Sequence, residues 1–292
     1  MHLRWTVVLL VDVLSQRYLL DELEKSFSDT PSDCIPLLKE TAGVVIGIRG
    51  AIRDFLSAIG TRNPLILEHI KTLPDGEREL AQQTLDMSPR IQSFSDSIYV
   101  FEDVTDSTGQ FERVSAAVSL LQAGAMACIY SLAGKKAIRG AIEIGVSINL
   151  PPENDLYGTG ISKAHMLESE KAMWPRILVG PRILSLVSRA AERRPKSPIE
   201  ELAVMQAKIG LDLITTSDDG MAMVDFLSDS FINEASVDSQ MIESAFNHVI
   251  SERYKFHSTG NHKLAARYDS LFDYVKRRLT PPPQPPPAPS AR

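Results

Sequence analysis

One apolar run near the start of the chain restricts the fold more than any other feature. Residues 4–14 read RWTVVLLVDVL, in which β-branched and aliphatic side chains follow one another almost without a break. Such a run is typical of a central strand that is buried on both faces. Asp12 stands near its carboxyl end. The sequence therefore predicts a central strand that carries a carboxylate at one edge of the sheet.

Strand and helix patterns alternate along the rest of the chain. A hairpin pattern after the first helices makes the expected sheet mixed, and Asp219-Gly220 between two strand-like runs is a strong signal for a second hairpin. We predict an α+β fold, a ferredoxin-like palm in which helices pack on a mixed sheet, with a helical C-terminal extension. Strands are predicted over 4–14, 90–103, 138–150 and 176–180, and helices over 15–26, 37–59, 63–87, 112–136, 157–174, 181–193 and 198–208.

The expected domain organisation has three parts. Residues 1–180 form the palm, and residues 181–279 form a hairpin and helical extension of the same unit. Residues 280–292 read TPPPQPPPAPSAR, a proline-rich tail expected to be extended or disordered. Such a tail could recruit a partner that binds an extended proline helix, although a plain disordered end is the simpler interpretation.

Composition restricts the partners. The net charge of −6 argues against a nucleic acid bound mainly through its phosphates, because such proteins usually present a basic face. Residues 114–134 carry no charge and are long enough to span a membrane, but their serines and many alanines favour a helix buried against the sheet. Cys34 and Cys128 lack metal-ligand spacing. We expect a reduced, cytoplasmic protein that binds neither nucleic acid nor membrane.

Two acidic residues interrupt apolar strand patterns, Asp12 in the first strand and Asp96 in the early hairpin. If these strands are neighbours, the two carboxylates meet at one edge of the sheet, where they repel each other unless a cation lies between them. Mg²⁺ typically binds one or two protein carboxylates together with substrate phosphates. The alternative is that Asp12 caps the following helix and Asp96 lies in a turn.

A further pattern lies in residues 154–180, where two glycines, Gly158 and Gly160, stand at the start of a predicted helix, an arrangement that favours phosphate binding. Taken together, these patterns resemble the catalytic domain of the class III nucleotidyl (adenylate and guanylate) cyclases. In that family a first strand ends in a metal-binding Asp, a hairpin carries the second, and a D-x-x-G segment opens a helix of the form V-N-x-A-x-R-L-E. The corresponding stretches here are 4–14, 90–103, 138–150 and 155–180.

The resemblance implies roles for individual residues. Asp12 and Asp96 match the two metal-binding aspartates, and Ser95 replaces the glycine that precedes the second. Gln92 and Asp155 fall at the two positions that contact the purine. The implied cofactor is Mg²⁺ or Mn²⁺, held by Asp12 and Asp96.

The predicted helix after residue 157 carries the remaining family positions. The resemblance assigns nucleotide binding to Gly158, Gly160 and Lys163. Ser162 stands where the family has its transition-state Asn, and Met166 stands where it has its transition-state Arg. A thioether cannot stabilise phosphate charge, and loss of an Arg that contacts the transferring group costs orders of magnitude in rate. Ser162 is retained as a catalytic candidate beside Asp12 and Asp96.

The resemblance leads to two hypotheses. In the first, a homodimer binds a nucleoside triphosphate with a divalent cation and forms a 3′,5′-cyclic nucleotide and pyrophosphate. In the second, the protein is a catalytically inactive cyclase-like module that binds a nucleotide or serves as a dimerisation scaffold. Another palm-type nucleotidyl transfer is a weaker option, and the absence of a G-G-D/E-E-F hairpin argues against a diguanylate cyclase.

Overall fold

The structure is a computed structural model that describes residues 3–29, 34–59, 63–86, 89–104, 110–150 and 155–279. The proline-rich tail, for which an extended or disordered conformation was predicted, lies outside these residues. The strands are β1 (Arg4–Val13), β2 (Arg90–Phe94), β3 (Ser97–Val104), β4 (Ile138–Leu150), β5 (Asp155–Gly158), β6 (Ile177–Val179), β7 (Ile214–Thr216) and β8 (Ala222–Val224). The helices are α1 (Gln16–Asp29), α2 (Cys34–Glu40), α3 (Ala42–Ile59), α4 (Pro64–Thr72), α5 (Asp75–Leu85), α6 (Gln110–Ala133), α7 (Thr159–Lys171), α8 (Pro181–Ala191), α9 (Pro198–Asp212), α10 (Asp229–Glu234), α11 (Ser239–Ser258) and α12 (His262–Leu279).

The first strand lies inside the sheet, as its apolar run predicts. The strand order is β2-β3-β1-β4-β6-β8-β7, with β5 paired to β4 outside this path. β1 is antiparallel to both β3 and β4, so the first four strands follow the ferredoxin-like order. The α+β fold class and the helical C-terminal extension are confirmed. The sheet is mixed because β4 and β6 are parallel, with α7 between them in sequence, and the early hairpin does not contribute a parallel pair.

The two faces of β1 contact different helices because side chains alternate along a strand. Val8 and Leu10 belong to a small core cluster with Ala164 of α7. Asp12 is the next residue on that face, at the end of the strand. The opposite face packs in the main core under α6 through Val7, Leu9, Val11 and Val13.

The apolar helix α6 is buried inside the protein. It is long and apolar enough to cross a membrane, but 78% of its most apolar window is covered by other parts of the chain. It packs against β1, β3 and β4 on one side and against α3, α9 and α11 on the other. The interpretation of this segment as a helix buried against the sheet is confirmed.

Several predicted boundaries are wrong. The helix predicted over 37–59 is interrupted at Thr41, whose hydroxyl donates a hydrogen bond to the Leu37 carbonyl at 2.8 Å. The helix predicted over 63–87 is interrupted before Pro74, since a proline disfavours helical conformation in the residue before it. The short strand β5 was predicted as helix and loop, because its sequence, DLYG, has low strand propensity.

Arg176 has a structural role in the interior of the protein. Its side chain is fully buried, with 0% exposure. Its guanidinium donates to both carboxylate oxygens of Asp219, at 3.0 and 2.5 Å, and to the Ser217 hydroxyl at 2.7 Å. It also lies 4.7 Å from the centre of the Trp174 ring. The hydrogen bonds of Arg176 therefore link the β7–β8 hairpin to the segment between α7 and β6.

We expect Asp219→Ala to lower the free energy of unfolding by about 2 kcal/mol, because it leaves a buried guanidinium without its carboxylate. Since the Asp219 side chain is 45% exposed, this loss is smaller than the ~3–5 kcal/mol typical of fully buried pairs. Asp218→Ala is the matched control: Asp218 is 75% exposed, and its pair with Arg277 contributes little. Urea denaturation of both variants measures the difference, and equal losses would contradict the assignment.

The same ion pair predicts a dependence of stability on pH. The hydrogen bond from Arg176 is the main cause that holds the pKa of Asp219 well below its ordinary value of 3.8. A carboxyl group with a depressed folded-state pKa stabilises the fold above its unfolded pKa, and this contribution is lost as the pH falls below that value. Acid denaturation should show a component below about pH 4 that Asp219→Ala lacks.

Candidate functional site

Asp12 and Asp96 meet at the end of the sheet, as the sequence predicted. In the β1–β3 ladder Asp12 lies opposite Ser97, and the amide of Val13 donates to the Asp96 carbonyl at 3.1 Å. Asp96 lies in the tight turn of the β2–β3 hairpin. Ser95 precedes it with a φ of 55°, a conformation that glycine adopts at lower cost. The hairpin turn thus places Asp96 beside Asp12.

The Asp12 side chain contacts neighbouring strands and does not cap α1. Ser97 donates to one carboxylate oxygen at 3.3 Å, and the Arg139 Nε atom donates to the other at 3.4 Å. Arg139 lies directly opposite Asp12 in the β1–β4 ladder, so both side chains share the α7 face. The helix-cap alternative for Asp12 is therefore wrong, whereas the expectation that Asp96 occupies a turn is correct and compatible with a site.

Arg139 also binds a second acidic residue, Glu168 of α7. The Arg139 Nε atom lies 2.5 Å from one Glu168 carboxylate oxygen, and the His165 Nδ1 atom lies 3.6 Å from the other. Glu168 is buried, since it faces the sheet one helical turn after Ala164. Arg139 therefore pairs with two carboxylates, those of Asp12 and Glu168, and the negative charge of Asp96 acts on Asp12 as well.

The excess of negative charge affects the pKa values of the groups at this site. Burial raises the pKa of Asp12, and the negative charge of Asp96 raises it further, against the opposing effect of Arg139. Burial also raises the pKa of Glu168, with Arg139 lowering it and Asp12 raising it. The pKa of the Tyr99 hydroxyl rises because of burial and the two nearby carboxylates. Negative charge is thus in excess around Asp12.

A bound cation would have to rely on few protein ligands. In the part of the chain that the structure describes, no group of three or more His, Cys, Asp or Glu side chains is arranged to hold a metal ion. Asp12 and Asp96 supply a pair of carboxylates, while Glu168 is engaged by Arg139. The pair fits Mg²⁺ or Mn²⁺ only where a phosphate ligand completes the coordination, which is the usual way that Mg²⁺ is bound.

Of the two residues predicted to contact a base, Asp155 lies far from the carboxylate pair within one chain. Gln92 of β2 is half-buried opposite Tyr99, on the same face as Asp12. Asp155 is exposed at the start of β5 and lies opposite Leu150. Arg139, which marks the Asp12 end of β4, and Leu150 are eleven residues apart on that strand, or about 35 Å at ~3.3 Å per residue. A single chain therefore does not bring Asp155 to the carboxylate pair.

The candidate residues on α7 point in different directions. Ser162 and Met166 are exposed on the side of the helix away from the sheet. Lys163 is half-buried, and its charge acts on Glu143, whose pKa burial nevertheless raises. Neither Ser162 nor Met166 faces Asp12 within the same chain. Lys163 therefore does not stand in for the transition-state Arg that Met166 replaces.

Gly158 and Gly160 have a packing role that needs no phosphate. A Cβ atom on Gly158 would lie 2.3 Å from the Val146 carbonyl oxygen, because β5 crosses close to β4. A Cβ atom on Gly160 would lie 3.1 Å from a methyl group of Val8. Both glycines allow the start of α7 to approach the sheet. Phosphate binding there stays a prediction.

Sequence reasoning missed most of the charge network. In the sequence Arg139 stands near the start of a strand pattern, and Glu168 and Tyr99 lie within a helix and a strand pattern, so none of the three is marked as a site residue. Strand register was the available signal, because a β1–β4 ladder that pairs Val13 with Ile138 places Arg139 opposite Asp12. Glu168 had a weaker signal, its i+4 spacing from Ala164 on the apolar side of α7.

Comparisons with known proteins give a limited result. No family model matches the chain, and no curated protein sequence matches it. Among solved structures, the adenylyl cyclase CyaB from P. aeruginosa aligns over 64% of this chain and 82% of its own, with 16% identity and a TM-score of 0.34. The guanylyl cyclase Cya2 aligns over 63% and 79%, with 13% identity and a TM-score of 0.28. Similarity of this size does not assign a family or a function to the chain.

Proposed function

We propose that this protein binds a nucleoside triphosphate together with Mg²⁺ or Mn²⁺ at the end of the sheet formed by Asp12 and Asp96. The charge imbalance supports this proposal, because among the described residues Asp12 and Glu168 both pair with the Arg139 guanidinium while the negative charge of Asp96 also acts on Asp12. Repulsion between partly buried carboxylates is relieved by a cation placed between them. A divalent ion carrying triphosphate oxygens would supply the missing positive charge.

In this proposal each residue of the site has a distinct task. Asp12 and Asp96 hold the cation, which when bound would neutralise phosphate charge. Asp96 is available for this task, since its carboxylate makes no hydrogen bond or ion pair with the described residues. Arg139 keeps Asp12 and Glu168 in fixed orientations. Gln92, on the same face, contacts the base.

The proposal requires a homodimer to complete the site. Asp155 and Ser162 do not reach Asp12 within one chain, so a second copy would have to bring them there. Exposed apolar side chains support such a contact, because Phe94 at the hairpin, Tyr157 in β5 and Met166 in α7 are all exposed.

Formation of a 3′,5′-cyclic nucleotide is the second candidate. The adjacency of the two aspartates favours it, because a close carboxylate pair suits displacement at phosphorus. In that reaction the ribose 3′-hydroxyl attacks the α-phosphate and pyrophosphate leaves. Ser162 and Met166 supply no positive charge for the transition state, so we expect binding to be strong and any turnover slow.

Titration of the purified protein with each of the four nucleoside triphosphates, in Mn²⁺ and in EDTA, tests the proposal. We expect metal-dependent binding that Asp96→Ala weakens by about tenfold or more, through loss of a charged ligand. Asp75→Ala, at an exposed carboxylate in α5, is the control and should bind normally. Absence of any binding component that requires the metal and that Asp96→Ala weakens would contradict the proposal. Assaying the same mixtures for cyclic nucleotide and pyrophosphate decides the second candidate.

A further inference from the structure

A second cavity lies at the opposite end of β1 from Asp12. It has a volume of about 680 Å³ and is formed by α8, the start of α6, the start of β1 and the middle of β4. Its wall on β1 is Trp5, seven residues before Asp12 and about 23 Å away along the strand. Trp5 also lies on the α6 face of the sheet, whereas Asp12 lies on the α7 face. This cavity, the α8 pocket, is therefore separate from the carboxylate site.

The α8 pocket concentrates positive charge in a protein whose net charge is −6. Four arginines line it, and no acidic side chain is among its described lining residues: Arg113, Arg182, Arg189 and Arg193. Arg182 and Arg189 are seven residues apart on α8, so they lie on the same side of the helix. The concentration of cations at one cavity indicates an anionic ligand.

Neighbouring groups offset only part of this charge. Arg193 binds Gln110 and pairs with Glu200 at 3.0 Å. Arg182 interacts with the charge of Glu143 and lies 6.0 Å from the centre of the Trp5 ring. Arg189 is exposed and makes no hydrogen bond or ion pair with the residues that the structure describes. Arg189 therefore has its full donor set available for a ligand.

Size and lining chemistry narrow the class of ligand. A guanidinium binds phosphate through two parallel hydrogen bonds, which makes arginine the preferred residue for phosphate recognition. Trp5, Ile144 and Leu186 add an apolar and aromatic wall that suits a ring. The volume falls within the ~300–1,000 Å³ of typical small-molecule sites. The arginines surround one cavity and do not form a long basic stripe, which argues against a nucleic-acid backbone.

We propose that the α8 pocket binds a phosphate-bearing small molecule of nucleotide size. Its phosphates contact Arg189 and Arg182, and its ring packs against Trp5. This site is independent of the nucleotide and metal site proposed at Asp12 and Asp96. Because the pocket needs no metal ion, the two sites respond differently to EDTA.

Binding of ATP to the full chain in EDTA, measured by calorimetry and by tryptophan fluorescence, tests the proposal. We expect saturable binding that Arg189→Gln weakens by about tenfold or more, since one charged phosphate contact is lost. Arg53→Gln, at an exposed arginine of α3, is the matched control and should bind as the wild type does. Trp5→Phe should remove most of the fluorescence change, because the other tryptophan, Trp174, is buried in the core.

The outcomes separate this proposal from the previous one. Asp96→Ala should bind ATP normally in EDTA, whereas it should lose the metal-dependent binding. Absence of saturable ATP binding in EDTA would overturn the α8 pocket proposal, as would equal affinity of Arg189→Gln and wild type. Tighter binding of a single-stranded oligonucleotide than of ATP, weakened by Arg189→Gln, would replace the small molecule with a nucleic acid. Binding should also weaken with added salt.

Discussion

Glu102→Gln is expected to raise the free energy of unfolding at pH 7 by about 3 kcal/mol, at ~1.4 kcal/mol per pKa unit. Glu102 of β3 is only 7% exposed and lies on the core face beside Val7. Burial, followed by the negative charges of Glu112 and Asp103, raises its pKa to about 8. The folded protein must keep this carboxyl protonated at neutral pH, while the unfolded chain ionises it freely. Glutamine removes that cost with little change of shape.

The pH dependence gives the sign of this effect. The folded-state pKa of Glu102 is about 8 and its ordinary value is 4.5, so between these values the folded state binds one more proton than the unfolded state. Wild-type stability should therefore decline as the pH rises through this range, and Glu102→Gln should lack this decline. Urea denaturation at several pH values measures both slopes.

The surroundings of Glu102 make glutamine a suitable replacement. Glu102 lines a small polar cavity together with Ser115 and Gln206. The Ser115 hydroxyl and the Gln206 side-chain carbonyl are buried without a hydrogen-bond partner among the described residues, so the cavity offers an acceptor to an amide. Glu68→Gln, at an exposed carboxylate of α4, is the control and should change stability by less than about 0.5 kcal/mol. Parallel pH profiles for wild type and Glu102→Gln would show that Glu102 is ionised in the folded state.

Gly145→Ala is expected to lower the free energy of unfolding by about 3 kcal/mol or more, because overpacking against backbone cannot relax by a side-chain rotation. A Cβ atom at Gly145 would lie 2.4 Å from the Gly160 nitrogen and 2.7 Å from the Gly160 Cα atom. The start of α7 would have to move away from β4. The hydrogen bond from the Val146 amide to the Thr159 hydroxyl, 3.0 Å long, would be strained.

An increase in the free energy of unfolding is expected at a glycine where an added Cβ atom would meet no other atom. A Cβ atom on Gly50 of α3 would meet no atom within 4 Å, so Gly50→Ala should stabilise the protein by about 0.5–1 kcal/mol through helix propensity. Thermal unfolding of both variants measures the difference.

Gly145→Ala should also weaken metal-dependent nucleotide binding, because Glu168 of the displaced α7 holds Arg139. A Gly145→Ala protein as stable as wild type would contradict the close approach of α7 to β4.

Local sequence was enough to predict the strands other than β5, the main helices and the fold class. The apolar run of β1 could be satisfied only by burial on both faces, and the Asp219-Gly220 turn could form only a tight hairpin. Helix boundaries at Thr41 and Pro74 were less certain, since tertiary contacts and local breaks compete with an apolar period that continues across them.

The candidate site was only half predictable. Asp12 and Asp96 each interrupt a strand pattern, and pairing of those two strands was enough to bring them together. The pair of Asp12 with Arg139 joins residues 127 positions apart in the sequence through strand register, and the pair of Arg139 with Glu168 depends on the docking of α7.

The sequence by itself determined most of the strands and helices, and that a carboxylate pair would stand at one edge of the sheet, because both follow from local periodicity and from the order of the elements. Only the tertiary structure decided what surrounds each charge. In the folded protein Arg176 is buried, and Arg139 pairs with two acidic residues. Among the described residues the Asp96 carboxylate has no partner, and four arginines line the α8 pocket. Charge environments depend on distance in space and on burial, and neither quantity follows from local pattern.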